Sequence, residues 1–255
     1  MKPIRGLAAL LALSVAVAAC GSPGPRGPSN AVINRVLTGA PGAAQPSDVV
    51  SAEIEYARAA REEGQYTAAQ RFAAPGAQLH ARNGPVSAAM LFTSLSNPDV
   101  PTQWSPRTIV MSCDGALALS LGRFQDAEGF VGNYVTTWVR QNDNSYKWVY
   151  DVAGRDDPQP PPRREIEMGD IVVTAIDSIE GLVASCPRAG ERIPTPPAIP
   201  IGSEEPGEAQ LSRDGTLQWR WEHRADGTKF VSAQYFYEGQ WLTAIEESLA
   251  SPDEG

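Results

Sequence analysis

The sequence predicts an α+β protein in which N-terminal helices pack on one face of an antiparallel sheet, followed by a C-terminal β extension. Two observations support this fold class. Apolar residues first recur at helical spacing after residue 46, and from Ser105 the apolar period changes to two over four consecutive runs. Proline-rich segments then separate these runs from three further strand-like stretches near the C-terminus.

Residues 1–20 predict a lipoprotein signal peptide. A positively charged start precedes an apolar run over residues 7–17, which is too short to span a bilayer as a mature helix. The run ends in the letters VAAC, which resemble a bacterial lipobox and predict that Cys20 becomes an acylated N-terminus, with palmitate among its chains. The alternative is an ordinary secretory signal cleaved at the small residues. Gly21, and not an acidic residue, follows Cys20. By resemblance to Gram-negative lipoproteins, this predicts a location at the outer membrane, facing the periplasm.

The charge balance excludes one class of partner. The full chain carries a net charge of −9, and removal of residues 1–20 leaves 19 basic and 30 acidic residues, or −11. A chain this acidic has no generic attraction for nucleic acid or for anionic lipid headgroups. We therefore expect no nucleic-acid partner, and we expect contact with the membrane only through the N-terminal lipid anchor.

The N-terminal part predicts a flexible tether and then three helices. Residues 21–45 are rich in proline and glycine, which cannot build a packed core, so the main domain is expected at 46–155. Ser47 is a candidate N-cap for a first helix that ends at Gly64. A second helix is predicted from Tyr66 to Ala74, and a third starts at Pro85.

Four strand-like runs follow, and they predict an antiparallel meander. The first ends at the dipeptide Asp114-Gly115, which favours a tight two-residue hairpin. The second, ALALSLGRF, has leucines on one face and small residues on the other. In the fourth run, Tyr146, Trp148 and Tyr150 alternate with Lys147, Val149 and Asp151, which predicts that the two sets face opposite sides.

Residues 156–255 predict proline-rich spacers and a β extension that packs on the main domain. The spacers cover 158–164 and 193–208, and a strand-like run at 170–178 leads toward Cys186. Three strand-like runs follow between 216 and 247, of which the first and the third contain tryptophan, with Asp-Gly and Glu-Gly turns between them. We expect no internal repeat of fixed period.

The order of elements resembles a known superfamily. The stretches SAEIEYARAAREEGQYTAAQRFAAPGAQLHARNGPV, MSCDGALALSLGRF and YVTTWVRQNDNSYKWVYD resemble the NTF2-like superfamily, which includes ketosteroid isomerase and SnoaL-like proteins. They are most similar to its secreted bacterial members of unassigned function. The resemblance implies a cone in which helices cover a curved sheet around a pocket, and a homodimer formed through the sheet face. The isomerase pattern uses an acid as base, whereas the matching stretch here, FAAPGAQLHARNG, carries no carboxylate.

Five residues are candidates for lining that pocket. His80 has the near-neutral pKa of a histidine and suits a base at the pocket rim, or else a hydrogen bonder at a strand edge. Tyr134, Trp138 and Trp148 suit aromatic walls, but they equally suit the core between helices and sheet. Asp151 suits a polar group at the pocket mouth, or simply the end of a strand.

Standard catalytic and metal motifs are absent from the sequence. There is no HExxH and no close Cys/His pair, and GxSxG, GxxxxGK and GxGxxG are also missing. We therefore predict no cofactor and no metal. The preferred interpretation is a non-catalytic periplasmic lipoprotein that binds a small apolar ligand or an envelope partner. The alternatives are a small-molecule isomerase, cyclase or hydrolase that uses the pocket, and a structural protein of envelope assembly.

Cys113 and Cys186 predict a disulfide. If Cys20 is acylated, two cysteines remain in an exported protein, where disulfides form. Cys113 ends a strand beside the acidic Asp114, which disfavours a thiolate and hence a catalytic thiol. The predicted bond ties the segment beyond the first proline spacer back to the sheet.

Overall fold

The computed structural model describes residues 43–161, 178–187, 191–198 and 207–251, all within one unit, Thr38–Gly255. Within them the predicted α+β class is confirmed, with few helices and a curved, mostly antiparallel sheet. The signal peptide with Cys20, nearly all of the predicted tether and the strand-like run at 170–177 lie outside the described residues.

Three helices and eleven strands form the described part of the chain. The helices are α1 (Pro46–Glu63), α2 (Gln65–Phe72) and α3 (Ala88–Ser94). The strands are β1 (Ala73–Ala81), β2 (Gly84–Ser87), β3 (Gln103–Met111), β4 (Leu117–Gln125), β5 (Val131–Arg140), β6 (Tyr146–Arg155), β7 (Glu180–Val183), β8 (Gly207–Leu211), β9 (Leu217–His223), β10 (Lys229–Tyr237) and β11 (Gln240–Leu249).

The strands form two sheets. The large sheet has the order β2-β1-β6-β5-β4-β3-β7, and the small sheet has the order β11-β10-β9-β8. Neighbouring strands run antiparallel except for the pairs β1–β6 and β3–β7. The helices pack on one face of the large sheet and the small sheet packs on the other, so the protein has three layers with two separate apolar cores.

Strand β4 shows why the layers take this order. Leu117 and Leu119 are buried against the small sheet, where their branched side chains fill the space between two sheets. Ala118 and Ser120 face the helices, and their small side chains leave room for Trp138. The sheet face that the family resemblance offers for dimerisation is therefore covered by the chain's own strands, and the homodimer stays a prediction that needs another surface.

Several predicted boundaries differ from the structure. Helix α1 begins at Pro46, one residue before the predicted N-cap, because proline suits the first helical position. The predicted second helix extends to Ala74, but α2 ends at Phe72 and the chain passes directly into β1. Pro85 lies in β2, and the third helix starts after it at Ala88.

A β-bulge in β6 exchanges the two sides of the sheet toward which the side chains after Val149 point, relative to the prediction. The register between β5 and β6 shifts opposite Val149, which has no paired partner on β5. Trp148 faces the helices, but Tyr150, two residues later, packs against the small sheet. Asp151 consequently faces the helix side, where the plain alternation predicts an aromatic residue.

Although no repeat of fixed period is expected, one turn sequence occurs twice in the chain. The turn SCDGAL at 112–117 recurs as SRDGTL at 212–217, and in both turns the serine hydroxyl donates to the aspartate Oδ1, over 2.7 and 2.6 Å. Each turn joins the first two strands of a four-stranded meander, β3–β6 and β8–β11. The turn has five residues between its strands, not the two predicted, because the serine–aspartate bond organises a longer loop.

The two turns contact each other directly. The Cys113 N–H donates to Thr216 Oγ1 over 2.9 Å, and the Asp114 N–H donates to Asp214 Oδ2 over 2.9 Å. The second meander therefore stacks on the first with the turn ends aligned.

The predicted disulfide between Cys113 and Cys186 is confirmed, with the two Cα atoms 5.1 Å apart. The residues before Cys186 bridge the two sheets. The Ala184 N–H donates to Met111 O over 2.9 Å, and the Ser185 N–H donates to Phe236 O over 2.7 Å. The disulfide thus holds the segment between the two meanders at the point where their turns meet.

Replacing both Cys113 and Cys186 with serine is expected to lower the free energy of unfolding by about 4 kcal/mol, because the bond closes a long loop in the unfolded chain. Urea unfolding followed by tryptophan fluorescence measures this difference. Reductant should destabilise the parent and leave the double variant unchanged. Equal stability of the two unreduced proteins would contradict the prediction.

Candidate functional site

A cavity of about 340 Å³ lies between the helices and the large sheet. It occupies the end of the sheet where β3 begins and β4 ends, opposite the 112–116 turn. Ala44, near the first described residue, lies beside Gly115 in that turn, at the far end from the cavity. The volume falls in the range of small-molecule sites.

The cavity wall is mainly aromatic and aliphatic. The aromatic lining residues are Tyr56, Tyr66, Phe92, Trp104, Phe124 and Tyr134. The aliphatic ones are Ala69, Leu79, Leu91, Leu95 and Ala153, and the polar ones are Gln65, Thr102, Thr136 and Asp151. No lysine, arginine or histidine is among the described residues that line it. Among the described lining residues, Asp151 is therefore the single carboxylic acid, and none of them is basic.

Ring contacts hold the aromatic wall in place. Tyr56 stacks on Phe72 with ring centroids 5.1 Å apart and meets the Trp104 ring edge-on at 4.8 Å. Tyr66 stacks on Phe92 at 5.5 Å. Packed rings of this kind have little rotamer freedom, so the cavity shape is largely preformed.

Side-chain hydrogen bonds fix the mouth of the cavity. The Tyr66 and Thr67 N–H groups at the start of α2 donate to Asn97 Oδ1 over 2.7 and 3.3 Å. The Thr102 N–H donates to Gln65 Oε1 over 2.8 Å. The loop between α3 and β3 is thereby fastened to α2 beside the opening.

Asp151 reaches the cavity because of the bulge in β6. The Thr136 hydroxyl on β5 donates to its Oδ1 over 2.5 Å. Burial raises the pKa of Asp151 to about 6, although the Thr136 hydrogen bond and the charge of Lys229 lower it. The carboxyl is consequently mostly ionised at neutral pH and close to titrating.

Lys229 approaches Asp151 from the other face of the sheet. It lies on β10 in the small sheet, and its Nζ donates to Ala153 O over 2.6 Å. Burial lowers the pKa of this lysine, while the charge of Asp151 raises it. The small sheet thus contributes one cation to the strand that carries Asp151, without lining the cavity.

A second carboxyl, Glu53, lies behind the cavity wall with 2% of its surface exposed. The Trp104 Nε1–H donates to Glu53 Oε2 over 3.0 Å, and the Tyr134 hydroxyl lies 3.5 Å from the same oxygen. The Ser120 hydroxyl donates to Oε1. Burial raises the pKa of Glu53 to about 7, and the charge of Asp151 adds to that rise.

Gly122 on β4 makes room for Tyr134. A Cβ atom at Gly122 would lie 2.6 Å from the Tyr134 hydroxyl and 2.2 Å from Ser105 O. Any side chain at this position therefore displaces the phenol from Glu53.

Asp151, Thr136 and Tyr134 line the cavity together, and Glu53 lies behind Tyr134. The pKa values of the Tyr56 and Tyr134 hydroxyls are raised well above the ordinary range by burial and by the charges of Glu53 and Asp151. Both phenols thus stay protonated and can donate hydrogen bonds. The arrangement suits a molecule with an apolar body and one polar head, and it sets a carboxyl beside that head.

Of the predicted pocket residues, Tyr134 and Asp151 line the cavity, whereas Trp138 and Trp148 do not. Trp138 is fully buried under the helices and donates to Ser120 Oγ over 3.0 Å. Trp148 donates to Ala69 O over 3.1 Å and packs in the same core. These two tryptophans fill the interface between helices and sheet, which is the alternative role that the sequence left open.

His80 lies on the other face of the large sheet. It is 2% exposed, its Nδ1 pairs with the Tyr150 hydroxyl, and its Nε2 lies 3.0 Å from His223 Nδ1. Its neighbour Leu79 occupies the cavity-facing position of β1. Burial lowers the pKa of His80 to about 3, with smaller contributions from His223 and Lys229, so the ring is neutral and joins the two sheets.

Glu53, Tyr56 and Trp104 are among the residues of the site that are not predicted from the sequence. Glu53 lies four residues after Val49 and four before Ala57, so it occupies the apolar stripe of α1. An acid in such a stripe is the one local signal for a buried carboxyl.

Comparison with known proteins found no matching family model and no matching curated protein. Within the described residues, no cluster of three or more His, Cys, Asp or Glu side chains suits a metal ion. No helix in this part of the chain has the length and apolar character to cross a membrane.

The Glu53→Gln variant is expected to gain stability relative to the parent as the pH rises. The folded-state pKa of Glu53, about 7, lies above its ordinary value of 4.5. The parent therefore keeps the stability of the protonated carboxyl below pH 4.5 and loses it as the pH rises through 7, whereas glutamine does not titrate. The free energy of unfolding of the variant is expected to be near that of the parent at pH 4.5. Above pH 8 it is expected to be higher than that of the parent by on the order of 3 kcal/mol. Urea unfolding at both pH values measures it, and a difference independent of pH would contradict the assignment.

Proposed function

We propose that this chain is a lipid-anchored protein of the bacterial envelope, held at the outer membrane and facing the periplasm. Its NTF2-like domain binds a small, mainly apolar molecule without converting it. The observation that carries this proposal is the preformed aromatic cavity of about 340 Å³, with a carboxyl at one end. A cavity of this size, walled by packed rings and having few polar groups, is typical of ligand sites.

The arrangement of layers supports an NTF2-like domain. Three helices lie on one face of the large sheet, and the cavity is between them, as the family resemblance implies. The small sheet is an addition to that pattern. The sequence VAAC at 17–20 supports the anchor, and Gly21 after it supports the outer-membrane address.

The burial of the C-terminal tryptophans favours a small ligand over an assembly role. Trp219 and Trp221 are 2% and 8% exposed between the two sheets, so they offer no apolar surface to a partner. Trp241 is half-buried, and its indole N–H donates to Pro194 O in the proline-rich spacer over 3.0 Å. An envelope partner would have to use a surface other than these tryptophans.

A second candidate function is a proton-transfer enzyme, such as an isomerase, cyclase or hydrolase. The observation that favours it is the Asp151 carboxyl, whose pKa near 6 suits a general base, facing the same cavity as the Tyr134 hydroxyl. If the protein is an enzyme, a molecule that binds in the cavity is converted by the parent and left unchanged by Asp151→Asn.

The binding proposal is tested by native mass spectrometry of the purified mature protein and by fluorescence of the neutral dye N-phenyl-1-naphthylamine. We expect the parent to carry a co-purifying molecule or to bind the dye. Ala153→Phe fills the cavity from β6 and is expected to lose at least about 1.4 kcal/mol of binding free energy, roughly tenfold in affinity. Ala209→Phe, on the exposed strand β8, is the matched control and should bind as the parent does.

Dye binding that survives Ala153→Phe unchanged would place the site elsewhere. A parent protein with neither a bound molecule nor dye affinity would sink the small-ligand proposal.

A further inference from the structure

We propose that the head of the ligand is a protonated amine, so that the cavity is a site for an organic cation with an aromatic or alicyclic body. The inference rests on the proposed function, because it assigns the charge of the molecule that the cavity binds. The charges, the hydrogen bonds and the ring chemistry of the wall each support it.

The sign of the cavity charge is the first argument. Asp151 is the single acidic side chain on the wall, and no basic side chain is present among the described lining residues. Glu53, directly behind Tyr134 and Trp104, is a second carboxyl and supplies no positive charge. A carboxylate or phosphate ligand would bring a like charge into a partly dehydrated space, which is strongly unfavourable.

The incomplete neutralisation of Asp151 is the second argument. From within the large sheet it accepts one hydrogen bond, from Thr136. Lys229 compensates part of the charge of Asp151 from the opposite face of the sheet. Its Nζ donates to Ala153 O, and Lys229 does not line the cavity. An ammonium group that enters the cavity reaches the open side of Asp151 and restores the solvation that burial removes.

The rings around the carboxyl are the third argument. Tyr56, Trp104 and Tyr134 line the same cavity, and the faces of tyrosine and tryptophan rings attract ammonium groups. Asp151 lines the same cavity, and its charge acts on the phenols of Tyr56 and Tyr134. A carboxylate beside aromatic faces is a general arrangement for recognising amines.

A neutral alcohol is the competing ligand class. Its hydroxyl can donate one hydrogen bond to Asp151, but it leaves the carboxylate charge uncompensated. Hydrogen bonds between charged groups are worth more than those from neutral donors by about the free energy of a tenfold affinity change. The two classes are therefore distinguishable by affinity.

The experiment uses two isosteric series on the mature protein at pH 7.5, measured by isothermal titration calorimetry. The first is 2-phenylethylamine, 2-phenylethanol and phenylacetate; the second, which is larger, is tryptamine, tryptophol and indole-3-acetate. In at least one series the amine should bind about tenfold or more tightly than the alcohol, with the acid weakest. Asp151→Asn should remove this preference, and Asp143→Asn, in the exposed β5–β6 turn, should keep it.

Each other outcome overturns a defined part of the proposal. Equal binding of alcohol and amine, both abolished by Ala153→Phe, rejects the amine head and leaves the ligand-binding function standing. Tighter binding of the acid also rejects it, and an amine preference that survives Asp151→Asn rejects the role of that carboxyl. Failure of all six compounds rejects the amine site, and the proposed function falls with it if the parent also carries no co-purified molecule and does not bind the dye. The comparison of compounds needs only the parent, so it holds even if Asp151→Asn does not fold.

Discussion

The register shift opposite Val149 is the constraint on which both the core and the cavity depend. With regular alternation, Asp151 would face the small sheet and Tyr150 would face the helices. The bulge places Tyr150 beside Trp219 and Trp221 in the inter-sheet core and turns Asp151 toward the cavity. A carboxylate buried in that core without compensation would cost several kcal/mol, so one extra residue in β6 makes the three-layer fold and the site compatible.

The small sheet holds this strand from behind. Its turn repeats the turn of the large sheet, and the two meet at the Cys113–Cys186 bond. Further along the same interface, Lys229 donates to the carbonyl of Ala153, a residue that lines the cavity. The strand that carries Asp151 is therefore fixed on both faces. A site built on such a strand loses little conformational entropy when it binds a ligand.

The sequence predicts those parts of the fold that local patterns determine. The strands between 105 and 155 and between 216 and 247 alternate clearly, because each packs one face on a core. Strand β1 is not predicted, since Pro75-Gly76 signals a turn and its parallel pairing with β6 is a long-range contact. The bulge at Val149 and the burial of Glu53 depend on partners from distant strands. Tyr134 and Asp151 are found as candidates, but the reason that Asp151 reaches the cavity is not visible in its own strand.

The titration of Glu53 depends on the charge of Asp151. Burial is the largest cause of the raised pKa of each, and the charge of Asp151 raises the pKa of Glu53 further. A proton that remains on the pair near neutral pH is therefore mainly on Glu53, and Asp151 bears the charge that faces the cavity. A ligand that excludes water without bringing a positive charge raises both pKa values and drives the pair toward neutrality. A cationic ligand stabilises the carboxylate of Asp151 instead, so the direction of proton uptake on binding reports the charge of the ligand.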